Sequence, residues 1–216
     1  GDHHSDHQEA LPIANLENPG RARCFVECGK PLPEYEVEIR DEAGKVLPDR
    51  RSGGIFVRGD SVMSGYFDEP EETARTLSED GWLNTGDVGY QVDGSLIITG
   101  REKDLIIING RNIWPQDLEY LAEHQPEVRM GDALAFSVPS QSDNEICVLV
   151  VQCRETESNM RTNLVDRLNR LVHLELGIDV LVELVPLHTL PRTSSGKLSR
   201  SKARQNFIDS HDMNAL

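Results

Sequence analysis

No stretch of this chain stays apolar for the eighteen or so residues that a membrane-crossing helix needs, so no membrane span is expected. The opening Gly-Asp-His-His-Ser-Asp-His has neither the basic nor the apolar region of a secretory signal, which makes a cytoplasmic setting the default. Positive charge is scarce. Against 37 Asp and Glu there are only 22 Lys and Arg, a net charge of −15, and this argues against nucleic acid, whose phosphates require a basic face. Cysteine is sparse too. The four fall in two pairs, Cys24 and Cys28 in "CFVEC" and Cys147 and Cys153 in "CVLVVQC", each pair on one side of an extended run. Neither spacing fits a zinc finger or ribbon, so buried free thiols are expected. His3, His4 and His7 read as part of a disordered polar end, and no metal site is expected.

What is present fits a globular protein. Its 216 residues suffice for one large or two small domains, with 38% apolar and 27% charged residues. Residues 1–22 read as irregular. Residues 23–102 read as a β-rich unit: "YEVEIRD" sets Tyr35, Val37 and Ile39 on one face, "DEAGK" turns the chain, and "GGIFVRG" is a second strand. Residues 103–216 alternate strand and helix. Pro115 opens a helix in which Leu118, Leu121 and Ala122 share a face. "ALAFSV", "EICVLVVQC" and "DVLVELV" are strands. "NLVDRLNRLVHLELG" is an amphipathic helix with Leu164, Val165, Leu168, Leu171 and Val172 inward and Gly177 at its end. The fold class is α+β. The charged run Arg101-Glu102-Lys103-Asp104, between two apolar β segments, marks the boundary between the halves.

Three features can carry chemistry. "GWLNTGDVGY" places Asp87 in a Thr-Gly-Asp turn, where a carboxylate can accept hydrogen bonds from the vicinal hydroxyls of a ribose. By itself, Asp after Gly is usually only a turn residue. Fourteen residues on, Arg101 can reach the same sugar or its phosphate, or make a surface salt bridge. Lys197 follows Thr-Ser-Ser-Gly in "LPRTSSGKLSR". It is no P-loop lysine, because the glycine that motif needs five positions before Gly-Lys is Pro191 here. On a mobile loop it can serve as a point charge against oxygens that gain negative charge in a transition state, and alone it reads equally as a surface lysine at a helix start. Five basic residues and no acidic one lie between Arg192 and Arg204. They suit a nearby anion, or a solvated helix face with cations near its C-terminus.

"GYFDEPEETARTLSEDGW", "GWLNTGD", "GREKDLIIINGRNIWPQDLE" and "PRTSSGKLSR", in that order, resemble the adenylate-forming enzymes: acyl-CoA synthetases, fatty acyl-AMP ligases, luciferases and peptide-synthetase adenylation domains. The resemblance runs from about Cys24 to about Arg204. It implies that Asp87 and Arg101 bind the ribose of ATP, with Mg2+ accompanying the nucleotide. It places Lys103 and Asp104 at the hinge of a small C-terminal lid. It makes Lys197 the lid lysine of adenylation, and it puts Gly110, in "IINGRN", on the face lining the thiol's approach. The family's Ser/Thr/Gly-rich phosphate loop ending Pro-Lys-Gly appears nowhere in these residues. The expectation is therefore a C-terminal fragment, inactive alone, made of the last β-rich subdomain of the large domain and the whole lid.

"GRNIWPQDLE" and "VECGKPLP" are most similar to the fatty acyl-AMP ligases. That resemblance implies activation of a long-chain fatty acid and its transfer to the phosphopantetheine of an acyl carrier protein or polyketide synthase carrier domain. The alternatives are a long-chain acyl-CoA synthetase, with CoA as acceptor, and a non-catalytic module that docks a carrier protein.

Overall fold

The computed structural model describes residues 25–140 and 145–212. The segment expected to be irregular over residues 1–22, with its histidines, and the Cys24 thiol lie outside the described residues. The fold is α+β and divides between Lys103 and Asp104 into two compact units.

The first unit holds a four-stranded antiparallel meander, β1 (Glu36–Arg40), β2 (Gly53–Arg58), β3 (Leu83–Val92) and β4 (Ser95–Arg101), in that spatial order. The period-two pattern of "YEVEIRD" is realised. Ile39 pairs with Ile55 across β1 and β2, and both are only 2% exposed. Asp41 closes the expected turn, its Oδ1 accepting from the amides of Ala43 and Lys45. β3 and β4 join through Asp93-Gly94, both at positive φ, the two-residue hairpin turn that Asp-Gly favours. One short helix, α1 (Pro70–Thr76), was not anticipated; it starts on Pro70 and buries no residue.

The second unit is a three-layer arrangement. β7 (Ala133–Pro139) pairs antiparallel with β8 (Glu145–Gln152), and β8 pairs parallel with β9 (Leu181–Val185). A parallel neighbour requires a crossover, and α3 (Ser158–Leu176) supplies it, ending on Gly177 in the left-handed conformation as expected. The run "CVLVV" is apolar at every position because both faces of β8 are covered. Cys147, Leu149 and Val151 point toward Leu118 and Ala122 of α2 (Pro115–Glu123) and Leu164 and Leu168 of α3. Val148 and Val150 point toward Ala203 and Phe207 of α4 (Arg200–Ser210). Of the five inward positions expected in α3, Leu164, Leu168 and Val172 are buried and Val165 and Leu171 half-buried. A small hairpin, β5 (Ile106–Ile108) and β6 (Arg111–Ile113), adds Ile106, Ile108 and Ile113 to the first face. Among the described residues no helix is long and apolar enough to cross a membrane.

The thiols split, against the expectation of uniform burial. Cys147 and Cys153 are buried, but Cys28 is exposed. Its segment lies along β4, held by the Glu27–Ile97 bridge and by hydrogen bonds from the Cys28 amide to the Leu96 carbonyl and from the Leu96 amide to the Gly29 carbonyl, yet its thiol stays exposed. Burial pushes the Cys147 thiol up to about 12, with the Glu145 carboxylate adding to the effect. The thiolate is the reactive form, and burial keeps the Cys147 thiol protonated. A thiol-specific reagent should therefore modify Cys28 within minutes and leave Cys147 unmodified until the fold opens. Mass mapping of labelled peptides, native against denatured, checks this.

Candidate active site

Asp87 does not sit in a turn between elements, as its Thr-Gly-Asp context suggested, but within β3. The turn-like sequence makes a bulge instead. Gly54 faces Val88 and Phe56 faces Asn84, so Ile55 alone stands opposite Thr85, Gly86 and Asp87. Two side chains pin the bulge. The Thr85 hydroxyl donates to the Ile55 carbonyl at 2.9 Å and accepts from the Asp87 amide at 3.1 Å. The Asn84 side-chain oxygen accepts from the Gly86 amide at 2.9 Å. Gly86 takes φ +69°, which an L side chain adopts only with strain.

The bulge aims the Asp87 carboxylate at Arg101, its registered partner on β4. Arg101 Nε donates to Asp87 Oδ1 at 2.9 Å. Side-chain exposures of 27% for Asp87 and 53% for Arg101 make this an open pair, worth little to stability. Among the described residues the second carboxylate oxygen, Oδ2, has no further partner. An acceptor so held, with a neighbouring fork of donors, suits a diol. Beside the pair lies a cleft of about 410 Å3 whose walls include Tyr66, Arg75, Thr85, Gly86, Arg101 and Lys103.

In the second unit, Gly110 and Asn109 form the β5–β6 turn with φ of +73° and +51°. Asn-Gly between apolar runs is a strong hairpin signal that the reading of "IINGRN" passed over. Arg111, next in chain, donates to the Leu176 and Gly177 carbonyls at the end of α3.

Lys197 does not ride on a loose loop. Arg192 and Leu198 bridge as an antiparallel pair, the Thr193 amide donates to the Lys197 carbonyl at 2.8 Å, and the Gly196 amide donates to the Thr193 carbonyl at 2.9 Å. The Ser199 amide returns to the Pro191 carbonyl at 2.9 Å. Serine and threonine, which suggested flexibility, build a closed turn through their own hydrogen bonds, including Thr193 Oγ1 to Ser195 Oγ. Lys197 is exposed, and among the described residues its ammonium has no partner.

The basic segment is not a solvated face near a helix C-terminus, because its last three basic residues open a helix. Arg200, Lys202 and Arg204 lie in the first half of α4, and two of them are engaged. β7 is an edge strand, and its outer carbonyls need donors. Arg200 Nε serves Ala135 O and Arg204 Nε serves Ser137 O, each at 2.8 Å. Arg200 also binds Asp104 and Glu119, two residues no local pattern linked to it. Asp104 is thus half-buried and held, whereas Lys103 beside it is exposed; both lie on one 3-10 turn, Glu102–Asp104.

Residues 8–67 match the AMP-binding enzyme family. A Caulobacter vibrioides protein provisionally named an acyl-CoA synthetase is 49% identical over 202 residues, covering 93% of this chain and 35% of that protein. The chain belongs to the AMP-binding enzyme family. Within that family, the medium-chain-fatty-acid–[acyl-carrier-protein] ligase JamA of Moorena producens is 35% identical, covering 91% of this chain and 35% of JamA. A structure from work on fatty acyl-adenylate ligases of E. coli and L. pneumophila superposes with a TM-score of 0.76 at 45% identity, covering 86% of this chain and 33% of that one. The AMP-binding enzyme chain thus spans about a third of the length of these relatives, and its fold matches the C-terminal part of adenylate-forming enzymes. Of the expected site residues, Asp87 and Arg101 meet in the first unit, with Lys103 at the edge of their cleft. Asp104, Gly110 and Lys197 belong to the second unit.

Proposed function

We propose that this chain is the C-terminal part of a fatty acyl-AMP ligase, an enzyme that joins a long-chain fatty acid to AMP and passes the acyl group to a carrier-protein phosphopantetheine. The carrying observation is the Thr85-Gly86-Asp87 bulge, which holds a carboxylate with one free oxygen beside Arg101 at the mouth of a cleft. Asp87 would bind the ribose diol with Arg101 assisting, and Lys197 would neutralise the carboxylate and α-phosphate oxygens during adenylation. Residues 23–102 would form the end of the large domain and 103–216 a lid hinged at Lys103 and Asp104, with Gly110 lining the thiol's approach in a second lid orientation. Mg2+ would enter with ATP. We place the reaction in the cytoplasm, where ATP is supplied.

The names of relatives divide over the acceptor. JamA's name supports a carrier protein, while the Caulobacter relative's name favours CoA as the second reading. Offering the full-length enzyme CoA against a holo-carrier protein, with fatty acid and ATP, decides between them: thioester on the carrier and none on CoA is the expected result. The 216-residue chain alone should show no fatty-acid-dependent pyrophosphate exchange, since it carries no phosphate loop. Asp87→Ala in the full-length enzyme should raise the KM for ATP by roughly tenfold, the scale of one or two charged hydrogen bonds, with a smaller effect on kcat. An unchanged KM would remove Asp87 from the ribose site.

A further inference from the structure

Arg200 stands three residues after Lys197 and begins α4. Its guanidinium is 19% exposed and uses each nitrogen on a different part of the second unit. NH1 binds Asp104 Oδ2 at 2.9 Å, NH2 binds Glu119 Oε1 of α2 at 2.6 Å, and Nε donates to Ala135 O of β7 at 2.8 Å. Glu119 Oε1 in turn accepts from the Ala135 amide at 2.9 Å, closing a ring of helix, strand and guanidinium. Asp104 and Glu119 are similarly sheltered, at 20% and 15%. Burial pushes the Glu119 carboxyl above its ordinary value, and the Arg200 guanidinium and the Ala135 amide oppose that shift.

We infer that Arg200 is a positioning residue that fastens Asp104, the first residue of the second unit, to the turn that presents Lys197. The inference rests on the proposed adenylation role of Lys197. Two chain segments 96 residues apart meet on one planar group. The Lys197 turn runs directly into that group: Ser199, bonded back to Pro191, precedes Arg200. A rotation that begins at the 3-10 turn is thereby transmitted to the lysine without slack. Only a forked side chain can do this. An ammonium keeps the charge but cannot hold three acceptors in fixed directions.

The test is a double-mutant cycle in the full-length enzyme, reading fatty-acid-dependent pyrophosphate exchange for wild type, Arg200→Lys, Lys197→Ala and the pair. Arg200→Lys should lower kcat by roughly tenfold to a hundredfold, the scale of misplacing a catalytic group by about an ångström, with little change in the KM for ATP. The pair should be no slower than Lys197→Ala within about twofold, because a misplaced lysine and a missing one fail at the same step. Effects that multiply independently, or a wild-type rate for Arg200→Lys, overturn the inference. Amide hydrogen exchange supplies a readout free of activity. In Arg200→Lys the Gly196 and Ser199 amides should lose protection while those of β8 keep it, and unchanged protection at the turn also overturns the inference. If wild type shows no exchange of pyrophosphate, it is the proposed function that fails, and the amides alone then decide whether Arg200 holds the turn.

Discussion

Replacing Lys197 by alanine in the full-length enzyme is expected to slow acyl-adenylate formation by roughly two to three orders of magnitude, the usual cost of one transition-state charge contact. The lysine is exposed and, among the described residues, unpaired, so its removal leaves no buried partner behind and should not change the thermal midpoint. Transfer from added acyl-AMP to the acceptor should suffer far less, because the phosphoryl chemistry is then over. The two half-reactions are measured separately, pyrophosphate exchange for the first and AMP release for the second. Equal losses in both would contradict the role given to Lys197. Because the turn at 193–198 is closed by its own hydrogen bonds, a local flip of the loop cannot deliver the lysine.

The second large effect is expected from Lys103→Pro. Lys103 is exposed and ends the first unit, while Asp104 is held by Arg200 and would lose an ion pair if its backbone were forced. Proline fixes φ near −65° and disfavours the helical region for Glu102 before it. Hinges are a few such positions that absorb a rotation while the bodies stay rigid. The substitution should bias the lid to one orientation, leaving one half-reaction near its normal rate and depressing the other about tenfold or more. Should both fall together with the thermal midpoint, Lys103 is merely structural. Should neither change, the chain turns elsewhere.

Much of this protein was legible from its order of residues. Period-two and period-3.6 patterns are local consequences of backbone geometry, so β1, β2, α3 and the Gly177 cap followed from neighbours a few positions apart. The ordered motifs marked the family for the same reason: each is a short contiguous stretch. What failed was context beyond a few residues. Thr-Gly-Asp reads as a turn until β2 is seen to lie opposite with one residue against three, which converts it to a bulge and aims Asp87 at Arg101. Thr-Ser-Ser-Gly reads as mobile until its hydroxyls are seen bonded within the turn. Cys28 reads as buried because free cysteine is a common core residue, but burial is decided by tertiary packing, and its thiol stays exposed. The basic segment reads as a surface because charge is normally solvated. Two of its three arginines, Arg200 and Arg204, are instead recruited to β7, whose bare edge exists only once the sheet has formed. Sequence alone determined most of the strands, the long helix α3 and the family, while α1 escaped it. The tertiary structure decided which charges meet, because Asp104, Glu119 and Arg200 are brought together by packing across a core and not by spacing along the chain.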